Sequence, residues 1–182
     1  RGSLPGFKAV GKYDYLESTP SVGQIMAAPA DPRYLRRWTT WVGLAFTAAA
    51  TVGVLSQDKD PGAPPLGGRD VAYSGVMSLG AAAGEEAAFR GWLLPLFHQN
   101  MGQKFWLANG LQSTMFGAGH PDAKEFAFVI GAWAFYQGWL TRRNGWDVRE
   151  STFQHFWYDV AIFLATLSRS NGTASIGTTV RF

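Results

Sequence analysis

"GAAAGEEAAFRGWLL", residues 80–94, places two carboxylates and a guanidinium among Ala, Gly, Leu and Trp. Its flanks, "VMSLGAAAG" (76–84) and "GWLLPLF" (91–97), are uncharged up to the first acid and beyond the arginine. On a helix, Glu86 and Arg90 are four apart with the acid N-terminal, the favourable order for an ion pair. Glu85 points roughly 100° away from Glu86, so one arginine does not serve both acids. On a soluble helix this would read as a structural ion pair. Inside an apolar stretch, ionisable side chains face a bundle interior or a cavity. The small residues Gly80 to Gly84 let a neighbouring helix come close. The three charges are therefore expected to line an internal polar site.

Composition agrees with an apolar setting. The 182 residues are 47% hydrophobic and 15% aromatic, with eight Trp and thirteen Phe. Only 16% are charged, against roughly 25% in soluble domains. A mean hydropathy of -0.05 implies that only part of the chain is immersed. The net charge of +3 is spread out and forms no basic block, which excludes nucleic acid as a partner class. With no cysteine, disulfides, thiolate metal sites and cysteine nucleophiles are excluded together. The chain opens on Arg1, as a fragment of a longer protein would.

Residues 1–37, punctuated by Gly and Pro, read as an extramembrane N-terminal segment or linker. "RYLRRWTTWVGLAFTAAATVGVL" (33–55) sets three arginines against an uncharged run, and a transmembrane helix is expected over 38–56. Residues 57–70 are a loop. Further apolar stretches follow at 71–97, at about 105–120, at 125–140 and at 151–168. These runs are rich in Ala and Leu without alternation, so helices are expected and strands are not. The expected fold is all-α: a membrane-embedded bundle of about five apolar helices, with a short C-terminal tail (169–182) as a small strand or ordered end. Arg33, Arg36, Arg37, Lys104, Arg142, Arg143 and Arg149 fall on one side of an up-and-down path. That places the N-terminal segment in the cytoplasm and the protein in a multi-pass inner or cytoplasmic membrane.

Other apolar segments carry the remaining chemistry. "STMFGAGHP" (113–121) holds Phe116 and His120, and "HFWYDV" (155–160) pairs His155 with Asp159 at i, i+4. Taken singly, His120 is a helix-end residue and His155–Asp159 a hydrogen bond on one face. Of the three histidines, only His98 sits at a polar helix end, and it reads as interfacial. Ser113 has no G-x-S-x-G setting, and no Glu-x-x-His pair supports a di-iron bundle. No HExxH announces zinc.

Taken together, EExxxR (Glu85, Glu86, Arg90), FxxxH (Phe116, His120) and HxxxD (His155, Asp159) occur in that order on three apolar segments, with Gly91 after the first. This pattern, over about residues 72–168, resembles the CAAX prenyl protease and bacteriocin-processing (CPBP, or Abi) intramembrane proteases. The resemblance implies a membrane protease core over 71–168 that hydrolyses peptide bonds of peptide or protein substrates beside membrane lipid. It implies Glu85, His120, His155 and Asp159 as catalytic residues, with Glu86, Arg90 and Phe116 in support. Two mechanisms are open to it. In one, Glu85 and His120 activate water, while His155 and residue 159 stabilise the oxyanion. In the other, zinc is held by several of Glu85, His120, His155 and Asp159.

Residue chemistry favours the division between the acids. The acid paired with Arg90 stays ionised and structural, which leaves Glu85 as the better base. An oxyanion needs donors: His155 can supply one, whereas a carboxylate at Asp159 cannot. Asp159 could instead orient His155 or bind a metal. The alternative function is a catalytically silent accessory subunit of a larger membrane complex that keeps the protease fold.

Overall fold

The computed structural model describes residues 20–120 and 127–169. Every regular element among them is helical. The end of the expected tail, from residue 170, lies outside the described residues, as do the first 19 residues.

The chain from Pro20 to Arg36, read above as a linker, folds back on the bundle. Ser21 and Gln24 form a reciprocal capping box that starts helix α1 (Val22–Ala27). Two tight 3-10 turns follow, Ala28–Ala30 and Pro32–Arg36, each opened by proline at its first or second position. Ile25 packs against Ala83 and Val148, and Tyr34 tilts onto Phe153 at 5.4 Å. The Trp157 indole N–H donates to the Pro29 carbonyl at 3.2 Å. Elements this short carry too few turns to show a period in sequence.

Helix α2 spans Trp38–Leu55. Helix α3 (Gly68–Glu85) runs on into a π-helical stretch, Glu86–Leu93, and then into helix α4 (Leu94–Asn100). Helix α5 is Phe105–Ala118, α6 is Ala127–Arg143 and α7 is Arg149–Leu167. Helix α7 is the hub: it packs against α2, α3, α6 and the Ala28–Ala30 turn, while α5 lies along α6.

Three glycines allow the closest approaches, the first being Gly138 of α6, where a Cβ would lie 1.9 Å from Asn109 Oδ1 of α5. A Cβ on Gly43 of α2 would lie 2.0 Å from Gln154 Oε1 of α7. One on Gly117 of α5 would lie 2.5 Å from the Ala127 carbonyl oxygen of α6, so these helices meet backbone to backbone. Gly80 and Gly84 face open space instead, and the close contact expected of that run falls on Ala82 and Ala83, both buried. The turn between α6 and α7 puts Gly145 and Trp146 in the left-handed region, each at φ 69°. That conformation is rare for tryptophan; here the side chain packs with Leu94 and Ala108.

Helix α2 is long and apolar enough to cross a membrane, and only 22% of it is buried inside the fold. Among the described residues no other helix meets both conditions. Helices α5 and α6 are short, at 14 and 17 residues, while α3 and α7 carry charge. The expectation of about five apolar spans is thus met in its helical part, and for spanning by α2 alone.

Candidate active site

The π-helical stretch has a local cause. Pro95 has no N–H, so no donor returns from that position to the preceding turn, and the ladder must readjust. Leu94 N–H reaches back five residues to the Phe89 carbonyl. Such wide turns recur at functional sites, and this one begins at Glu86 and contains Arg90.

Glu86 and Arg90 are both fully buried, and the guanidinium donates from Nη1 to Glu86 Oε1 at 3.0 Å. The same oxygen receives His155 Nδ1 at 2.8 Å, which joins α3 to α7 across 69 residues of chain. His155 Nε2 faces two further carboxylates, Glu85 Oε2 at 3.7 Å and Asp159 Oδ1 at 3.6 Å. His155 and Asp159 are nearly enclosed, whereas the Glu85 side chain keeps 31% of its surface open. Glu85 and Glu86 thus meet one imidazole from two sides. Arg90 binds only Glu86, as helix geometry required.

Phe116 connects the rest. The Arg90 guanidinium lies over its ring at 4.2 Å, and Phe89 meets it edge-on at 5.0 Å. His155 and His120 approach the same ring, with centroids 6.0 and 4.8 Å away. His120 follows the end of α5, and its Nδ1 lies 2.6 Å from the Phe116 carbonyl. A carbonyl only accepts, so Nδ1 carries the proton, and Nε2 of the neutral ring holds the lone pair.

His155 is constrained in the same way. A carboxylate held by arginine accepts, so Nδ1–H of His155 is committed to Glu86. A neutral His155 then turns a lone pair, not a donor, towards Glu85 and Asp159. Nε2 donates only when the ring is doubly protonated.

Among the described residues no three His, Cys, Asp or Glu side chains are grouped so as to hold a metal ion. Glu86 is taken by Arg90 and His155, while His120 and His155 commit Nδ1 and keep the Nε2 lone pair for another partner. His98 joins Trp146 at 5.2 Å, and Ser113 accepts from the Gln112 amide at 2.7 Å.

One buried acid escaped the motif reading. Glu150, at the start of α7, is 1% exposed and is gripped by Arg37, Thr39, Thr40 and Asn144. Its partners lie up to 113 positions away, so no spacing pattern reveals them.

The family model described as type II CAAX prenyl endopeptidase Rce1-like matches residues 68–167, more than half of the chain and every residue of the cluster. No curated protein and no solved structure matches it. The chain belongs to the Rce1-like family of type II CAAX prenyl endopeptidases.

Proposed function

We propose that the protein is a multi-pass intramembrane endopeptidase, with residues 71–168 as its catalytic unit. It cleaves membrane-associated peptides or proteins with water activated by Glu85 and His120. The observation that carries this reading is the unequal setting of two adjacent acids on one imidazole: Glu86 sealed and bound to Arg90, Glu85 partly open.

A general base must reach the water it activates. Glu85 meets solvent and Glu86 does not. The Nε2 lone pair of His120 is a second acceptor for a water proton. As hydroxide adds to the scissile carbonyl, negative charge collects on the carbonyl oxygen and needs a donor in a dry site. Nε2–H of doubly protonated His155 supplies it, with Glu85, Glu86 and Asp159 balancing the ring's charge. Arg90 fixes Glu86, Glu86 fixes the ring, and Asp159 steadies its far side. The proton taken from water then passes to the leaving amine nitrogen.

The family's description names prenylated CAAX termini, and these are the substrates to try first. Purified protein in detergent is incubated with a fluorogenic prenylated CAAX peptide, beside the Glu85→Gln variant. Turnover that disappears in the variant supports the reading. Equal rates in parent and variant, or no cleavage by a folded parent of this peptide and of a peptide library, would overturn it.

A further inference from the structure

We propose that the pocket between the start of α2 and the end of α6 binds the phosphate of an anionic phospholipid headgroup. The pocket encloses about 270 Å³, below the roughly 300 Å³ at which drug-sized pockets begin. It has room for a headgroup and not for a whole lipid.

Its chemistry is that of an anion site. Arg36, Arg37 and Arg143 border it. The single acid there, Glu150, already has both oxygens engaged: Thr39 and Thr40 donate to Oε1, Arg37 and Asn144 to Oε2. Glu150 therefore anchors Arg37 and leaves an excess of two positive charges. Arg36 has no ion pair among the described residues. Arg143 is held over the Trp38 and Trp139 rings, at 5.6 and 5.7 Å, and lines the pocket. The first turn of α2 opens here without a side-chain cap, so its N-terminal amides and the positive end of the helix dipole add to the field.

Position selects the lipid over a free anion. Among the described residues helix α2 is the one candidate span, so its first turn lies where hydrocarbon gives way to headgroups. Trp38 and Trp41, 60% and 58% exposed, mark that boundary as interfacial indoles do. Val42, also exposed, continues the apolar strip along which acyl chains would run once the phosphate is seated. A soluble anion would use the arginines and leave that strip bare.

The test is native mass spectrometry of the full chain in detergent, titrated with phosphatidylglycerol and, separately, phosphatidylcholine. The expected result is phosphatidylglycerol binding about tenfold tighter than phosphatidylcholine, as each basic residue adds to attraction for anionic lipid. The Arg36→Gln/Arg143→Gln variant, which spares Arg37 and its grip on Glu150, should lose most of that preference. Equal affinity of the parent for both lipids overturns the proposal without any variant. An unchanged preference in a folded double variant also overturns it. Displacement of phosphatidylglycerol by an equal concentration of inorganic phosphate would show a free-anion site and overturn the lipid assignment.

Discussion

Glu85 and Glu86 are adjacent in the chain and opposite in setting, and substitution should separate them. Glu85→Gln removes the proposed base while keeping its shape, so turnover should fall by roughly 10²–10⁴ with the melting temperature unchanged. Glu86→Gln leaves a buried guanidinium without its carboxylate and should cost roughly 3–5 kcal/mol of stability. Thermal unfolding of both variants beside peptide turnover reads the difference, and equal destabilisation would mean that both acids are structural. Asp159→Asn tests the far side of the His155 ring. Asn keeps the shape and offers a donor, so turnover should stay within about tenfold, whereas loss of a stoichiometric metal from the same sample would reinstate a metal role. At this scale much was legible. The i, i+4 spacing alone assigns Arg90 to Glu86, and the 3.0 Å contact agrees. The tautomer of His155 was not legible, because it depends on a partner 69 positions away.

Among the elements, the tightest crossings should be the least tolerant. Gly117→Ala drives a Cβ against the Ala127 carbonyl, backbone that has nowhere to go, and should destabilise by about 1–3 kcal/mol despite alanine's better helix propensity. At Gly43 the obstacle is the end of the Gln154 side chain, which can swing aside and forfeit its hydrogen bonds to Gln137 and to the Thr39 carbonyl. Gly43→Ala should therefore cost less, and paired chemical-denaturation curves in detergent would rank the two. Sequence read 71–97 as one uninterrupted stretch, because period-based reasoning assumes a regular turn. The bounds of α2, in contrast, follow directly from Arg37 on one side and the polar loop on the other.

At the scale of the molecule, helix α7 completes two buried charged centres: it supplies His155 and Asp159 to Glu85 and Glu86, and Glu150 to the start of α2. That placement sets an order of events during biosynthesis. Ribosomes add roughly 5–20 residues per second, so Glu86 waits some seconds for a histidine 69 positions downstream. Throughout that interval it would be an uncompensated carboxylate on an apolar segment, were it not for Arg90, which emerges four residues behind it. An ion pair within one turn can close at once on the nascent helix and offset the penalty of burial before any neighbour exists. The arginine is thus a chaperone in cis, carrying an incomplete site through its assembly, and the protease gains its histidine only when the rest of the fold is in place to restrain it.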